Sequence, residues 1–318
     1  MEEQADKSLY IEEQREWLIR WREQTGTAWD KIAKKTGLAK GTISVFASAS
    51  GYNGKKQVSE YPIAQRIERM RHSMAQQAAI SDEVPDVPEF FRTETSDALE
   101  RMLGFAQHGM SVAAALEAGC GKSTAAQHYQ NVFPNVFYVE LCKSASGMNN
   151  MIRMLLEAMG IKDAPSGTFA MSNMVRDQLR KVDKPLLIFD EAQHLGEDSL
   201  EEIRSWNDRD QVGIAFFGNV GILQKLAKYP QLWSRLELKI QRRLPTIGDI
   251  DALADAWHVT DPAIRKELHS ICGRLGGLRN GTKVLRLARM MAMAEGTAMG
   301  LDHLMDAWSE LDVRMVAA

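Results

Sequence analysis

Residues 111–124, SVAAALEAGCGKST, join an apolar run to a short stretch of glycine, lysine and hydroxyl residues. Glycines allow backbone amides to converge on a phosphate, and the N-terminus of a following helix adds positive potential. In this pattern Lys122 would reach the β- and γ-phosphates of a nucleotide, and Ser123 would hold Mg²⁺. The first glycine of the full eight-residue pattern is replaced by Leu116, which ends the apolar run. We predict a phosphate-binding loop formed by Gly119, Cys120, Gly121, Lys122, Ser123 and Thr124.

An acidic pair follows a second apolar run further along the chain. Residues 185–189, PLLIF, lead directly into Asp190 and Glu191. Asp190 is predicted to bind Mg²⁺, directly or through water, and Glu191 to orient and polarise the attacking water. An alternative is a degenerate site that binds nucleotide without hydrolysing it, but the presence of Glu191 argues against that alternative.

Three further polar residues have positions from which they could contact a nucleoside triphosphate. Asn219 follows the apolar run 214–217 and could reach between the γ-phosphate and the catalytic acid. Arg235 could act as an arginine finger on the γ-phosphate of a nucleotide bound by a neighbouring subunit, although Arg242 and Arg243 are alternatives. Arg279, in the run GGLR, could contact the nucleotide from a C-terminal domain or could be an ordinary arginine at a helix start. The sequence thus predicts an ATPase that uses ATP and Mg²⁺, with elements in the order typical of AAA+ P-loop proteins.

The elements that must position these residues alternate between strand and helix. Apolar strand candidates occur at 111–116, 136–141, 185–189 and 213–217, with helical patterns near 122–131, 147–159, 171–182 and 198–206. Alternation of this kind predicts a parallel sheet flanked by helices. Beyond residue 245 only helical patterns occur, at 248–256, 261–274, 281–295 and 301–314.

A helix-turn-helix spacing lies near the N-terminus. In residues 28–49, Ala33 permits close helix approach, Gly37 supports the turn, and Ile43 locks the second helix onto the first. The second helix, predicted for residues 40–49, would present Lys40, Thr42 and Ser44 to DNA. Residues 20–71 hold 11 Lys/Arg and four Asp/Glu, a net charge of +7 suited to phosphate contact. The alternative is a helical bundle used only for protein contacts.

These signals define the expected domains and fold class. The run 81–91, SDEVPDVPEFF, is acidic with two prolines and is typical of a linker. We predict a helix-turn-helix domain at 1–76, a linker at 77–95, an ATPase core at 96–244 and a helical lid at 245–318. The fold class is therefore α/β, with a parallel sheet core and a small C-terminal helical lid, preceded by an all-α domain.

Composition limits the partners and the compartment. The chain has 318 residues, 45% hydrophobic and 25% charged, with a net charge of -3 and three scattered cysteines. Its apolar runs are too short to cross a bilayer, and its acidic N-terminus does not resemble a secretory signal. These features predict a protein of the bacterial host cytoplasm with no membrane partner. Since no long region is strongly basic, DNA binding must come from local patches or from many subunits together.

The order of parts resembles the MuB transposition proteins of Mu-like phages. The resemblance covers almost the whole chain and includes residues 41–44 (GTIS), 119–122 (GCGK), 190–192 (DEA), 218–219 (GN) and 234–235 (SR). It implies an ATPase stimulated by DNA, which polymerises in its ATP-bound form on double-stranded DNA as a helical homo-oligomer, largely without sequence preference. Such a filament would deliver target DNA to a DDE transposase, which stimulates hydrolysis and release. The resemblance also implies DNA contacts in the filament channel from Lys143, Ser144 and Ser146, with Lys162 a further candidate.

Two other functions use the same combination of parts. A helicase-loader-like AAA+ ATPase has the same core but usually a different N-terminal partner domain. A transcriptional regulator controlled by ATP would require sequence-specific DNA recognition, for which the small hydroxyl side chains of the second helix are poorly suited.

Overall fold

The computed structural model describes residues 2–48, 60–83, 88 and 90–316 of the chain. The chain folds as two compact units, Met1–Pro85 and Asp86–Ala318. The division falls inside the predicted linker, of which residues 84–87 and 89 lie outside the described part. The finer boundary predicted between an ATPase core and a lid, at 244/245, stays a prediction because both parts belong to the second unit.

The first unit is entirely helical in its described residues. It contains α1 (Glu2–Thr25), α2 (Trp29–Thr36), α3 (Lys40–Ala47) and α4 (Tyr61–Glu83). Gly37 has φ 66° between α2 and α3, in the left-handed region that the predicted turn requires, and Ile43 is fully buried. The core is formed by residues from all four helices, including Leu18, Ile32 and Ile67. The predicted second helix, 40–49, ends at Ala47, and residue 49 lies outside the described part.

The second unit combines one parallel sheet with helices on both faces. In chain order it contains α5 (Glu94–Ala106), β1 (Ser111–Leu116), α6 (Lys122–Val132), β2 (Val136–Glu140), α7 (Met148–Ala158), α8 (Thr168–Leu179), β3 (Leu186–Asp190), α9 (Glu197–Asp210), β4 (Gly213–Gly218), α10 (Ile222–Leu226), α11 (Pro230–Trp233) and β5 (Leu236–Arg242). The last four helices are α12 (Ile247–Ala256), α13 (Pro262–Cys272), α14 (Gly277–Ala294) and α15 (Leu301–Val316).

The sheet has the strand order β2-β3-β4-β1-β5, and all paired strands are parallel. Alternate residues of β1 enter two different cores: Ala113 and Ala115 face one, whereas Val112 and Ala114 face the other. Both faces of the central strands are therefore covered, as expected for a parallel sheet in an α/β fold. The predicted α/β class with a parallel sheet is confirmed, with a fifth strand, β5, that the four strand candidates did not include. The helix-turn-helix assignment of the first unit stays a prediction.

The C-terminal helices α12–α15 surround a separate core that includes Leu253, Leu268 and Leu285. Asp249 joins them to the start of α5. Its fully buried carboxylate accepts hydrogen bonds from the backbone N–H of Thr95 (2.8 Å), the Thr95 hydroxyl (2.5 Å) and the backbone N–H of Thr246 (2.9 Å). Every carboxylate oxygen therefore has a partner, which makes burial of this charged group tolerable.

Candidate nucleotide site

The loop between β1 and α6 has the backbone form that the glycine-rich run predicted. Gly119 and Gly121 have φ values of 90° and 79°, conformations that a residue with a side chain rarely adopts. Helix α6 begins at Lys122, so its first turn, with Ser123 and Thr124, opens directly onto a cavity. Burial raises the pKa of the Cys120 thiol to about 11, so this side chain stays neutral at pH 7. Cys120 is not among the residues that line the cavity.

The predicted acidic pair lies against this loop. Asp190 ends β3, is fully buried, and forms an ion pair with the ammonium group of Lys122. It also accepts hydrogen bonds from the hydroxyl of Ser123 and, at 3.0 Å, from that of Tyr138. Burial alone would raise the pKa of Asp190, but the Lys122 ammonium and the hydrogen bonds from Lys122 and Ser123 outweigh it and lower the pKa. Asp190 is therefore ionised at neutral pH.

Glu191 has the next position and lines the same cavity. Its φ of 54° is in the left-handed region, which is uncommon for a residue with a side chain and typical of constrained functional positions. One carboxylate oxygen lies 3.1 Å from Nζ of Lys122, and the other accepts a hydrogen bond from the amide of Gln193. The side chain is 37% exposed, so it is accessible to water as a base for hydrolysis must be.

Gln193 connects Glu191 to Asn219 at the end of β4. The backbone N–H of Asn219 donates to the Gln193 side-chain oxygen at 3.4 Å, while the Asn219 side chain accepts from the N–H of Gly221 at 3.0 Å. Lys225 on α10 holds the same segment, because its ammonium donates to the backbone oxygen of Gln193 at 2.7 Å. Gln193 was not identified from the sequence, since its role depends on contacts between two strand ends.

The cavity has a volume of about 590 Å³ and is open to solvent. Its polar lining comes from the glycine-rich loop, the first turn of α6, Glu191, Asn219 and one face of α14. The structure thus brings Arg279 to the site, together with Lys283 and Arg286, which the sequence analysis did not identify. Their spacing of i, i+4 and i+7 places all three on one side of α14, and this periodicity was a usable signal.

Aromatic residues that precede α5 in the chain also line the cavity. Phe90 stacks on His128, with ring centroids 3.7 Å apart and an interplanar angle of 8°, and Phe91 and Pro88 lie beside the same cavity. One part of the cavity is therefore apolar and aromatic, whereas the loop side is polar and positively charged. This division suits a nucleotide, which has a flat base and a polyphosphate.

The donor set also suits Mg²⁺. The hydroxyl of Ser123 and the carboxylate of Asp190 are in direct contact at the loop, and both are hard oxygen ligands of the kind that Mg²⁺ prefers. In the described residues, no group of three or more His, Cys, Asp or Glu side chains forms a separate metal cluster. This is compatible with Mg²⁺, which is usually held by one or two protein ligands plus waters and phosphates.

The remaining predicted residues do not line the cavity. Arg235 precedes β5 and donates to Asp208 at 2.9 Å, with its side chain 55% exposed. Its predicted role concerns the nucleotide of a neighbouring subunit, which a single chain does not test. Arg242 ends β5, and its backbone oxygen accepts from the N–H of Glu117 at 3.1 Å; Arg243 is exposed.

The residues predicted to contact DNA fall into two groups. Lys143 and Ser144 are exposed in a short 3-10 turn after β2, followed by the half-buried Ser146, and Lys162 is exposed between α7 and α8. In the first unit, Lys40 is paired with Asp30 at 3.0 Å, and Thr42 and Ser44 are only partly exposed. The DNA contacts of all seven residues stay predictions.

Comparison with known proteins agrees with this architecture. Residues 106–226 match the model of an AAA domain, and residues 234–311 match the model described as Mu B transposition protein, C terminal. The chain is 29% identical over 298 residues to the ATP-dependent target DNA activator B of Escherichia phage Mu, covering 92% of each protein. It is 28% identical over 258 residues to the Mu-like prophage FluMu DNA transposition protein B of Haemophilus influenzae, covering 78% of this chain and 87% of that protein.

Solved structures support the fold. The ORC2 protein of Aeropyrum pernix, in ADPNP and ADP complexes, superposes with a TM-score of 0.56 at 19% identity, covering 71% of this chain and 70% of that one. The ORC1 protein of the same organism, in complex with DNA, gives a TM-score of 0.55 at 16% identity, covering 72% and 68%. The glycine-rich loop, the acidic pair beside it and the AAA domain match show an ATPase of the AAA+ class, and the chain is similar to the MuB transposition proteins.

Proposed function

We propose that this chain binds double-stranded DNA when loaded with ATP and delivers that DNA to a DDE transposase. The observation that supports it most directly is the contact of Lys122, Ser123, Asp190 and Glu191 at one cavity. The names of the relatives, ATP-dependent target DNA activators, support the link between ATP and target DNA. The helical homo-oligomer and the transposase partner are part of the proposal. Among the described helices, none is both long and apolar enough to cross a membrane; the host cytoplasm stays a predicted location.

The chemistry follows from the charges at the cavity. When ATP enters, its phosphates compete with Asp190 and Glu191 for the ammonium of Lys122, because the polyphosphate carries more negative charge. Mg²⁺, held by Ser123 and Asp190, would supply positive charge against the phosphate oxygens. Release of Lys122 leaves the carboxylate of Glu191 free to orient water toward the γ-phosphate. Arg279 on α14 is positioned to sense whether that phosphate is present.

Electron microscopy of the purified protein with duplex DNA tests the proposal. With ATP and Mg²⁺, we expect filaments that cover DNA of any sequence and shorten as ATP is consumed. The Lys122→Ala variant should lose ATP binding, since the cation facing the phosphates is removed, and should form no filaments. Isolated rings or monomers of the unmodified protein under the same conditions would contradict the proposal.

A transposase assay separates this function from the two alternatives. Addition of a DDE transposase encoded by the same mobile genetic element should increase ATP hydrolysis. It should also direct strand transfer to the DNA that the protein covers. Recovery of a replicative helicase instead of a transposase would favour a helicase loader. Binding to one DNA sequence that survives excess random DNA would favour a regulator.

A further inference from the structure

A positively charged cavity of about 490 Å³ lies in the first unit, between the C-terminal end of α2 and the middle of α4. No carboxylate lines this cavity. Its lining consists of three cationic, two hydroxyl and two methionine side chains: Lys35, Arg66, Arg69, Thr36, Ser73, Met70 and Met74. We call this cavity the α2–α4 basic pocket. It is separate from the nucleotide site and includes none of the residues predicted to contact DNA.

The sequence positions explain why the cations converge. Arg66, Arg69 and Ser73 are spaced i, i+3 and i+7, so they lie on one side of α4. Lys35 is in the last turn of α2, facing that side. Arg66 also donates to the backbone oxygen of Gly37 at 2.9 Å, which ties α4 to the turn between α2 and α3. The pocket is therefore built by helices that are held together, and its geometry does not depend on a loop.

The charges of the pocket are not neutralised by neighbouring acids. Several other cations in the described residues of this unit are in ion pairs, although Lys31 and Lys34 are not: Arg15 with Glu60, Arg20 with Glu16, Lys40 with Asp30 and Arg71 with Glu13. By contrast, Lys35 and Arg69 are exposed and form no ion pair with any residue that the structure describes. Cations brought together without a counter-charge repel each other, which favours an anionic ligand at this position.

We propose that the α2–α4 basic pocket binds a backbone phosphate of duplex DNA. Two exposed cations and the hydroxyl of Ser73 match a phosphodiester, which carries one negative charge and accepts several hydrogen bonds. This inference rests on the proposed function, because it assumes that the chain binds DNA. It assigns the contact to α2 and α4, whereas the sequence pattern had pointed to α3, where Lys40 is already paired. A phosphate contact there explains binding without sequence preference, since phosphates carry no sequence information.

The test is a comparison of two double variants of the full-length protein, each with two cations removed. The first carries Lys35→Gln and Arg69→Gln; the control carries Arg20→Gln and Arg71→Gln, which remove paired cations of the same unit. Both retain Arg66, whose bond to Gly37 is structural. Fluorescence anisotropy with a labelled random duplex, at saturating ATP and over a series of salt concentrations, gives the affinity and its salt dependence.

We expect the pocket variant to bind DNA about tenfold more weakly than the control, with the slope of log K against log salt reduced by about 1, because each phosphate contact contributes about 0.9 to that slope. ATP hydrolysis without DNA and the melting temperature should match those of the control. Equal DNA affinity and equal slopes in the two double variants would overturn the inference while leaving the proposed function intact. Failure of the unmodified protein to bind DNA would overturn both.

Discussion

At the scale of single residues, we propose that the acidic pair divides two tasks between neighbouring carboxylates, a metal ligand and a base. Asp190 is fully buried, contacts Ser123 and is held ionised by Lys122, as a ligand for a cation must be. Glu191 is partly exposed and lines the cavity, as a base acting on water must. The difference in burial separates a metal ligand from a base more clearly than the residue types do.

Glu191→Gln tests this division. The amide keeps the size of the side chain but has no negative charge to polarise water, so we expect ATP binding to persist while hydrolysis falls by a factor of about 100 or more. DNA filaments should then be long-lived, because release depends on hydrolysis. Nucleotide affinity and steady-state turnover are the two measurements. Normal turnover in this variant would show that another group activates the water.

Gln193 is the residue that connects the base to the neighbouring strand end. Its amide donates to Glu191 while its oxygen accepts from the backbone of Asn219, so we expect it to fix the direction of the carboxylate once Lys122 has turned to the phosphates. Gln193→Ala should lower kcat about tenfold, equivalent to about 1.4 kcal/mol of activation free energy, with little change in KM for ATP.

The control for Gln193 is Gln231→Ala, which removes an exposed glutamine on α11 without a contact to the site. It should leave both kinetic parameters unchanged. A rise in KM of Gln193→Ala with kcat intact would instead place this residue in nucleotide binding and would refute a positioning role.

At the scale of elements, α14 contacts the glycine-rich loop through backbone atoms. The N–H of Leu278 donates to the backbone oxygen of Gly119 at 2.9 Å. A Cβ added at Gly119 would overlap the backbone of Gly276, and one at Gly277 would lie 2.9 Å from the oxygen of Gly119. Only glycines permit this approach. The contact places the cationic face of α14 at the cavity and links the position of α14 directly to the glycine-rich loop.

Gly277→Ala tests the contact, with Gly296→Ala as its matched control. Both glycines have positive φ, 49° and 67°, so each alanine should cost roughly 1 kcal/mol of backbone strain. Only at Gly277 does the new methyl group also meet backbone, because Gly296 has open space around it. We expect ATP affinity to fall about tenfold or more in Gly277→Ala alone, measured by titration with a fluorescent ATP analogue. Equal affinities in both variants would mean that the lid contact does not support binding.

The sequence predicted the four strands that are apolar runs and missed the fifth strand, which is not one. The central strands β1, β3 and β4 are continuous apolar runs because both faces are buried. Strand β5 lies at the sheet edge and has mostly exposed residues, among them Glu237, Lys239 and Gln241, so no apolar run marks it. Gln193 was missed because its contacts with Glu191 and Asn219 depend on which strands are neighbours in the sheet. That order is a property of the topology and cannot be read from the residues around Gln193.

At the scale of the whole chain, cations are concentrated locally although the net charge is -3. The α2–α4 basic pocket and the positive face of α14 (Arg279, Lys283 and Arg286) serve different anions. The first is proposed to hold DNA, and the second lines the nucleotide cavity. An acidic chain can therefore bind two polyanions, because Coulomb interactions are screened over distances of about 10 Å and local charge determines binding.

Separation of the two units gives the last prediction. Among the described residues, the core of the first unit draws on residues between 10 and 74, and the cores of the second draw on none before 91. Since the described core residues of each unit come from that unit alone, the fragment Asp86–Ala318 should fold by itself. It should bind ATP as tightly as the full chain, because every residue that lines the nucleotide cavity belongs to the fragment.

DNA binding should respond differently to the same truncation. The fragment lacks the α2–α4 basic pocket, so we expect weaker DNA affinity and a smaller salt slope, with any remaining binding supplied by Lys143 and Lys162. Calorimetry with ATP and anisotropy with duplex DNA measure the two affinities on one sample. Loss of ATP binding in a folded fragment would contradict the independence of the units, and unchanged DNA binding would show that the N-terminal helices serve a different partner.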